Sequence, residues 1–427
     1  MIIDFSVQNF GSIKDKQTLS FEADKSTQLE DYYVIKAGKY RLLKLALIYG
    51  ANASGKTTIL RALDFLRALV TIPWNKKTDE LNFEPYLFDE ITPKQNSIFT
   101  INFIHRNIQY FYELEFNNRY IVRDELNFYN PNKANVFTRT TNVEKQLSEI
   151  TFGSKIKADI TAEKNLMANT LWNNTVFGGF LKTNIDIPEI KNAVDWFNVY
   201  LKPVIMPDSN LSGYTLSGLK SSAINRGDIV NILRKADFNI SDIIMRKLIV
   251  NEDFIKSLEK QNYPVDVIAE MKNEKVIDDL MFKHTLNNQS YDLAFHLESK
   301  GTQRYFGFAG ILATLIKEST LIPIDELESS LHPDLYIHFL LTFLANAKQS
   351  QLIATTHNRE ILADKDIFRN DAIWFTDKSA TGATELYSLA DFDTSVVRDT
   401  SNVYNAYKTG KLGGVPNLGD YYIDLEK

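Results

Sequence analysis

Cysteine is absent from all 427 residues of the sequence. Disulfide bonds, thiolate catalysis and zinc sites with sulfur ligands are therefore excluded. An excess of positive charge is also lacking, because the sequence has 48 Lys and Arg residues and 54 Asp and Glu residues, which gives a formal net charge of −6. This balance argues against a protein that wraps nucleic acid over its whole surface, although it is compatible with a local basic groove.

Long hydrophobic runs are missing as well. The longest, FGFAGILATLI at 306–316, is too short to span a bilayer and is typical of a buried helix. The first residues, MIIDFSVQNF, lack the basic and then apolar pattern of a signal peptide. We therefore expect a cytoplasmic protein without membrane association, and the pattern disfavours a transporter with its own membrane domain.

What the sequence does have is the composition of a globular protein. Apolar residues make up 44% of the chain and charged residues 24%. A length of 427 residues is too great for one simple core, so we expect two or three structural units.

The first part of the chain predicts a buried strand followed by a helix. LLKLALIY at 42–49 is a nearly continuous apolar run that stops at Gly50, as in a buried parallel strand. Residues 57–70 then repeat apolar side chains at helical spacing, and Pro73 closes the helix. MIIDFSVQNF and QTLSFEA predict two short opening strands.

The middle of the chain changes character twice. Residues 97–130 alternate apolar and polar side chains, which predicts a meander of antiparallel strands. From about 156 to 235 the sequence is mostly helical in pattern, with PDSNLSGYTLSG at 207–218 as its clearest predicted loop. We therefore predict an N-terminal lobe at 1–155, a helical insertion at 156–239 and a C-terminal lobe at 240–427.

The C-terminal lobe alternates strand and helix patterns, which favours an α/β fold with a parallel core sheet beside the antiparallel subdomain. MFKHTL and YDLAFHL predict a hairpin, and ESKGTQR leads from a glycine loop into a long helix. The further predicted strands are IIMRKLIV, STLIPID, QLIATTH and AIWFTD. Pro323 is unexpected, because it removes a hydrogen-bond donor from a strand that is predicted to be central.

Residues 50–57 read GANASGKT and fit the phosphate-loop pattern G-x-x-x-x-G-K-[ST], between a buried strand and a helix as the motif requires. The glycines let backbone N–H groups curl around a phosphate, and the helix N-terminus adds a favourable field. We expect Lys56 to reach the β- and γ-phosphates and the Thr57 hydroxyl to ligate Mg²⁺. The alternative is a glycine turn with a solvated lysine.

Two adjacent acids end the apolar strand in LIPIDELESSLHP at 321–333. With a phosphate loop present, Asp325 is predicted to hold Mg²⁺ opposite Thr57, directly or through water. Glu326 projects in another direction and is predicted to orient and deprotonate the water that attacks the γ-phosphate. The alternative for both acids is solvated charge at a strand end.

Two further features lie around this strand. ESKGTQR at 298–304 places Ser299 and Gly301 just before a helix, and TTHN at 355–358 places His357 at the end of the next strand. Taken singly, Ser299 and Gly301 are better explained as a helix cap and turn, and His357 as an ordinary histidine at the end of a strand.

The order of these motifs resembles the ABC-type ATPase head: phosphate loop, long gap, S-x-G-x-x-R, apolar strand with Asp-Glu, and a strand ending in His. Asn52 in GANASGK is similar to the SMC and RecF repair branch more than to the transporter branch. A narrower resemblance is to the stand-alone AAA-family ATPases of bacterial phage-defence operons, the RloA group, which is related to the OLD and Septu ATPases. It covers most of the chain, is weakest over the helical insertion, and is carried by NFGSIKDKQTLSF, ILRKADFNISDI, ESKGTQR, DELESSLHP and NVYNAYKTGKLGGVPNL.

This resemblance implies a head-to-tail homodimer of heads, or a higher oligomer built from it. Ser299 and Gly301 of the partner subunit would contact the γ-phosphate of ATP, and His357 would sense it as a neutral imidazole that can hydrogen-bond a phosphate oxygen. The residues implied to bind ATP are Gly50, Ala51, Asn52, Ala53, Ser54, Gly55, Lys56, Thr57 and Thr58. The segment implied to cross the dimer interface is Glu328, Ser329, Ser330 and Leu331.

The sequence departs from the family pattern at several positions. Gly11 stands where repair ATPases often have an arginine, and Lys14 is a candidate substitute. Gln95 lies where the usual Q-loop glutamine is expected but reads as an ordinary loop residue. Asp391 and Asp393 in ADFDTS mimic part of a TOPRIM nuclease site, but only about thirty residues follow, too few for another domain, so we interpret them as a loop. A nuclease or toxin, if used, is then expected on a separate polypeptide.

Three functions remain open from the sequence. The first is a nucleotide-switched ATPase of anti-phage defence that controls a separate effector protein encoded nearby. The second is an SMC/RecF-like repair ATPase that binds DNA across the ATP-closed dimer. The third is a nucleotide-binding scaffold with little turnover.

Overall fold

The structure is a computed structural model, and it describes residues 1–260, 272, 276–287, 289–392 and 403–416. The strands of these residues are β1 (Ile2–Gln8), β2 (Gln17–Ser20), β3 (Val34–Ala37), β4 (Tyr40–Leu43), β5 (Leu45–Gly50), β6 (Ser97–His105), β7 (Ile108–Phe116), β8 (Ile121–Tyr129), β9 (Lys133–Asn142), β10 (Leu147–Phe152), β11 (Ile240–Ile249), β12 (Val276–Leu286), β13 (Gln289–Ala294), β14 (Leu321–Ile324), β15 (Gln351–Thr355), β16 (Ile373–Lys378) and β17 (Thr384–Ser388). The α-helices are α1 (Glu30–Tyr33), α2 (Lys56–Thr71), α3 (Ile160–Asn169), α4 (Val176–Phe180), α5 (Pro188–Asp195), α6 (Leu211–Lys220), α7 (Arg226–Lys235), α8 (Glu252–Lys260), α9 (Lys300–Lys317), α10 (Pro333–Asn346) and α11 (Val403–Lys408).

A five-stranded sheet forms the core that carries the candidate site. Its order is β14-β15-β5-β16-β17, with the first four strands parallel and β17 antiparallel to β16. Every residue of β5, β14 and β15 is buried. The continuous apolar runs of these strands are what a sheet covered on both faces requires, and the predicted α/β class with a parallel core sheet is confirmed.

The position of β14 corrects one prediction. The strand lies at the end of the five-stranded sheet rather than at its centre. The Ile205 N–H donates to the Pro323 carbonyl at 2.9 Å, so the missing donor of Pro323 faces away from β15. On that side of β14, Leu201 and Ile205 form isolated bridges with the strand. Proline is tolerated there because no ladder bond of an inner strand is lost.

A second sheet is antiparallel and has seven strands, in the order β10-β9-β8-β7-β6-β1-β2. It contains the predicted opening strands and the predicted meander of residues 97–130, and it continues through two strands, β9 and β10, that the sequence reading did not separate. On one face of this sheet, the rings of Phe99 and Phe116 lie with their centroids 5.0 Å apart. The Phe116 ring also packs against Phe65 of helix α2, at a centroid distance of 5.7 Å. The antiparallel subdomain of the predicted fold is therefore confirmed.

The predicted loop at 207–218 is wrong, because residues 211–220 form helix α6. The Asn210 side chain caps this helix by accepting from the Gly213 N–H at 2.8 Å. A methyl group on Gly307 would lie 2.4 Å from the Leu211 Cβ, and one on Gly310 would lie 2.1 Å from the Thr215 hydroxyl. Close packing against glycines of α9 therefore stabilises a segment whose own glycines and serines favour a loop.

The chain divides into two units. The first contains Met1–Asp208, Leu315–Ser329 and Leu340–Lys427, and the second contains Ser209–Thr314 and Ser330–Phe339. The second unit includes the predicted hairpin, now β12 and β13, in which Met281 pairs with Ala294. The predicted division at 155 and 239 stays a prediction. Among the described residues, no helix combines the length and apolar character needed to cross a bilayer.

Candidate nucleotide-binding site

The phosphate-loop motif joins β5 to α2 in the first unit, and its two glycines are required by packing. A Cβ on Gly50 would lie 2.3 Å from the Thr376 hydroxyl, and one on Gly55 would lie 2.0 Å from the Thr384 hydroxyl. Gly55 also has φ +106°, in the left-handed region that favours glycine. The loop therefore turns tightly against the ends of β16 and β17 before α2 begins at Lys56.

Hydroxyl groups from three other segments hold the loop in place. The Thr384 hydroxyl donates to the Ser54 carbonyl at 2.9 Å, and the Ser54 and Thr376 hydroxyls lie 2.6 Å apart. The Ser12 hydroxyl lies 2.8 Å from that of Thr384 and 3.1 Å from that of Thr58. Sequence reasoning missed these contacts, because single Ser and Thr residues far apart in the chain form no recognisable pattern.

Lys56 points its ammonium group back into the loop. The Nζ atom donates to the Gly50 carbonyl at 2.9 Å and to the Ala51 carbonyl at 3.0 Å, and the residue is only 6% exposed. Burial lowers the pKa of Lys56, and the negative charges of Asp325, Glu326 and Glu328 oppose that shift. A cation is thus held among backbone carbonyls with three carboxylates nearby.

Thr57 and Asp325 lie together although 268 residues separate them. The Thr57 hydroxyl donates to the Asp325 carboxylate, at 2.9 Å to Oδ2 and 3.2 Å to Oδ1. Asp325 is 3% exposed and also accepts from the Thr355 hydroxyl at 2.5 Å. A hydroxyl and a carboxylate are hard oxygen donors of the kind that Mg²⁺ prefers, so the donor set fits that ion.

Glu326 follows directly and has a backbone conformation rare for a residue with a side chain, φ +48°. Its N–H donates to the Thr355 hydroxyl at 2.8 Å, and the Leu327 N–H donates to the Thr355 carbonyl at 3.1 Å. The Thr355 hydroxyl therefore donates to the Asp325 carboxylate and accepts from the backbone N–H of Glu326. The signal that could have found Thr355 is its place at the end of β15, the strand next to β14.

His357 comes two residues after β15, beside the same carboxylates. Its backbone N–H donates to Glu328 Oε1 at 2.5 Å. Partial burial, followed by repulsion from Lys56, lowers the pKa of the imidazole, and Glu328, Glu326 and Asp325 oppose the shift. Burial and Lys56 therefore favour the neutral form of the imidazole. Glu328, which the family resemblance placed in a dimer contact, has a partner within its own chain.

Ser299 and Gly301 belong to the second unit. The Ser299 hydroxyl accepts from the Thr302 N–H at 3.0 Å, so it caps the first turn of α9. A Cβ on Gly301 would meet nothing closer than the Ser299 hydroxyl at 3.7 Å. The helix cap and the proposed phosphate contact are compatible, and the open space at Gly301 permits close approach of another group.

The departures from the family pattern have specific structural settings. Gly11 has φ +56°, and a Cβ there would lie 2.9 Å from Thr58 Cγ2, so a side chain at this position would press on the loop. The ammonium of Lys14 lies 2.9 Å from the Asp89 carboxylate, a partner outside the loop. Asp391 accepts from the Ser388 N–H at 2.8 Å within a capping turn, whereas Asp393 lies outside the described residues. The carbonyl of Gln95 accepts from Asn9 at 2.9 Å.

Comparison with known protein families matches residues 45–159 and 195–363 to the family described as "AAA domain, putative AbiEii toxin, Type IV TA system". These stretches make up more than half of the chain. The chain belongs to this AAA-domain family. Membership supports an ATPase and confirms the AAA-family part of the resemblance, while the narrower RloA, OLD and Septu grouping stays a prediction.

Three solved structures are similar to this AAA-domain protein. An SmcHead bound to the C-winged helix domain of ScpA shares 11% identity, with 91% of this chain and 97% of that chain covered and a TM-score of 0.42. The SMC head domain from Thermotoga maritima shares 12% identity, with 91% and 98% covered and a TM-score of 0.41. An Smc head domain with an extended coiled coil, bound to the C-terminal domain of ScpA and derived from Pyrococcus furiosus, shares 12% identity, with 96% and 98% covered and a TM-score of 0.35. No curated protein sequence matches the chain.

Proposed function

We propose that this protein binds and hydrolyses ATP as an ABC-type head, and that it works as a nucleotide-switched, dimeric regulator of a separate effector, a nuclease or toxin, in bacterial defence against phage. The observation that carries the ATPase part is the hydrogen bond between Thr57 and Asp325, 2.9 Å long, beside the buried Lys56. The motif order of the sequence supports the regulatory part.

Thr57 and Asp325 are the residues that would hold Mg²⁺. Mg²⁺ keeps several waters and is bound in proteins by one or two carboxylates together with substrate phosphates, so two protein oxygens are a sufficient set. When bound, the ion would neutralise charge that develops on the β- and γ-phosphates. The hydrogen bond between the two side chains holds their oxygens together beside the loop.

The remaining roles fall to groups that the structure gathers around the loop. Lys56 exchanges its bonds to loop carbonyls for bonds to the β- and γ-phosphates, since an ammonium group donates more strongly to an ionised oxygen. Glu326 takes a proton from the attacking water. Neutral His357 donates one ring N–H to the γ-phosphate. The two neighbouring acids thus divide the work, with Asp325 for the metal and Glu326 for the water.

Two point variants test the ATPase. Lys56→Ala should abolish ATP binding. Glu326→Gln should retain binding, lower the turnover number by about 100-fold or more, and accumulate ATP-bound dimers, because only proton removal is lost. The measurements are titration with a fluorescent ATP analogue, steady-state phosphate release, and size-exclusion chromatography with ATP.

Glu318→Gln is the matched control for the Glu326 variant. Glu318 lies three residues before β14 and pairs with Lys202 at 3.6 Å, away from the loop. Its variant should hydrolyse ATP at the wild-type rate. Full affinity for ATP in Lys56→Ala would overturn the site, and full turnover in Glu326→Gln would show that Glu326 is not the base. A wild-type rate that is already low and that Glu326→Gln leaves unchanged would instead favour the nucleotide-binding scaffold.

The regulatory role has its own test. Affinity purification from the native host should recover the product of a neighbouring gene in stable complex, and ATP should change the amount recovered. DNA binding by the protein alone that ATP stimulates and salt weakens would instead favour the SMC/RecF-like repair function.

A further inference from the structure

The motif NVYNAYKTGKLGGVPNL near the end of the sequence has no role in the site described so far. Within its described part, 403–416, helix α11 is followed by a glycine-rich turn. Tyr407 of this helix is 3% exposed, and its hydroxyl donates to the Gly414 carbonyl at 2.9 Å. This hydrogen bond closes the glycine-rich turn back onto the helix.

The turn itself comes close to the loop, and only glycine permits its geometry. Gly413 and Gly414 have φ values of +67° and +64°. A Cβ on Gly414 would lie 3.3 Å from the Thr376 carbonyl and 3.5 Å from Gly50 Cα. The Gly414 N–H donates to the Asp377 carboxylate at 3.0 Å, which anchors the turn to the end of β16.

The ring of Tyr407 is fixed from other sides. It meets the Tyr49 ring edge to face, with centroids 5.7 Å apart. The Arg359 guanidinium lies 5.3 Å from the centroid of the Tyr407 ring, a distance at which a cation is attracted to an aromatic face. Because the ring cannot shift freely, the hydroxyl is held at the Gly414 carbonyl.

We propose that this C-terminal segment is part of the nucleotide site, and that Tyr407 is a positioning residue that holds the turn at Gly413 and Gly414 against Gly50 and so sets the shape of the phosphate loop. This inference rests on the proposed function, because it assumes that the loop holds nucleotide phosphates. Tyr407 touches no substrate; it acts by fixing the turn that packs against Gly50, the residue at which β5 turns into the loop. Loosening that residue misaligns the backbone donors that follow it.

The decisive variant is Tyr407→Phe, which keeps the ring against Tyr49 and Arg359 but removes the hydroxyl. Releasing the Gly414 carbonyl should loosen the turn that packs against Gly50 and weaken the affinity for both ATP and ADP by about tenfold. The turnover number at saturating ATP should stay near that of the wild type, because Glu326 and the residues around it are untouched. Titration with fluorescent nucleotide and steady-state kinetics measure the two quantities.

Tyr404→Phe is the matched control. Tyr404 lies on the same helix, is half-buried and contacts Lys408, whose ammonium lies 5.9 Å from its ring centroid. Its variant should bind nucleotide as the wild type does. A purely structural role for the Tyr407 hydroxyl would lower the melting temperature and leave the nucleotide affinity of the folded protein unchanged, and that result would overturn the inference.

A second pair of variants covers the case in which Tyr407→Phe does not fold. Gly414→Ala places a methyl group against Gly50 and should weaken nucleotide binding. Gly410→Ala has similar left-handed strain, with φ +77°, but its methyl group faces Val415 at 3.2 Å, so affinity should be unchanged. If the wild type binds ATP and both Tyr407→Phe and Gly414→Ala bind it as tightly as the wild type, the inference falls and the proposed function stands. If the wild type does not bind ATP, both fall.

Discussion

At the scale of single residues, Thr355 links the two acids on which the proposed chemistry depends. Its hydroxyl donates to Asp325 and accepts from the Glu326 N–H, at 2.5 Å and 2.8 Å. The residue is fully buried, so water cannot replace either bond. Thr355 thereby orients the metal-binding carboxylate and stabilises the unusual backbone of the next residue.

Thr355→Val keeps the shape of the side chain and removes both hydrogen bonds. We expect the turnover number to fall by about 10- to 100-fold, as is usual when a residue that orients a metal ligand is lost. The Mg²⁺ concentration for half-maximal activity should rise. Steady-state ATPase assays over a magnesium titration measure both effects.

Thr320→Val is the control for this prediction. Thr320 is also fully buried, just before the other end of β14, and its hydroxyl donates to the Tyr200 carbonyl at 2.9 Å. It should lose stability without a change in magnesium dependence. Wild-type activity and magnesium dependence in Thr355→Val would show that Asp325 and Glu326 keep their orientation without it.

The same residues show what the sequence can reveal about the site. The approach of Thr57 to Asp325 was predictable, because the motif fixes one and a buried strand ending in acids suggests the other. Thr376 and Tyr407 were not predictable, since a single hydroxyl has no spacing pattern and its partner depends on which strands become neighbours. The roles of the predicted site residues stay predictions.

At the scale of elements, α6 shows how tertiary packing overrides local propensity. Its sequence has glycine and serine at several positions, which favours a loop. In the structure its buried side chains, Leu211 and Thr215, pack against Gly307 and Gly310 of α9. A reading of one segment at a time cannot show that its neighbour has glycines at matching positions.

Gly310→Ala tests this packing. The new methyl group would lie 2.1 Å from the Thr215 hydroxyl, so we expect a loss of about 1–3 kcal/mol in the free energy of unfolding. Gly301→Ala, on the same helix but with 3.7 Å of clearance, should be neutral or slightly stabilising. Urea denaturation followed by circular dichroism compares the two. Equal stability of both variants would show that α6 does not depend on this contact.

The pair β8 and β9 contains a buried ionisable group outside the site. Asp124 and Arg139 face each other across these strands, and neither is exposed. Burial raises the pKa of Asp124 to about 7, although Arg139 and the Val176 N–H oppose the shift. Between the ordinary pKa of a carboxyl group and pH 7, the folded chain therefore holds a proton that the unfolded chain has released.

Stability should consequently fall as pH rises through this window. Asp124 contributes a slope of about −1.4 kcal/mol per pH unit between about pH 4.5 and pH 6.5, because the unfolded state binds one proton fewer. Asp124→Asn removes this contribution while the other carboxyl groups cancel in the comparison. Urea denaturation of both proteins at several pH values measures the difference. Parallel curves would mean that Asp124 is ionised in the folded state throughout.

At the scale of the whole molecule, the parallel sheet explains why distant segments meet. β5, β14 and β15 are parallel, so the residues after each strand gather at one edge of the sheet, where α/β proteins bind ligands. The alternation of strands and helices made this arrangement predictable. The place of β14 at the sheet end was not, because it depends on pairing among strands far apart in sequence.

The two units also divide the proposed functional residues. The first contains the phosphate loop, Asp325, Glu326 and His357, and the second contains Ser299 and Gly301. Under the proposed head-to-tail pairing, each complete site takes the loop and its acids from one subunit and the helix start of α9 from the partner subunit. A homodimer of this kind has two such sites related by its symmetry.

Mixing two inactive variants tests this pairing. Glu326→Gln removes the acid beside the phosphate loop of its own subunit. Gly301→Ala changes only the helix start that contacts the partner subunit's nucleotide. Each variant alone should be nearly inactive. In a mixed dimer one site has both defects and the other has neither. Random pairing of equal amounts should therefore restore about a quarter of the wild-type ATPase rate, since half of the dimers are mixed and each has one of two sites intact.

Mixing Glu326→Gln with Lys56→Ala is the control. Both defects lie on the side of the phosphate loop, so every site keeps one of them and no activity should return. Rescue in the control, or none in the first mixture, would show that a composite site between two subunits does not form.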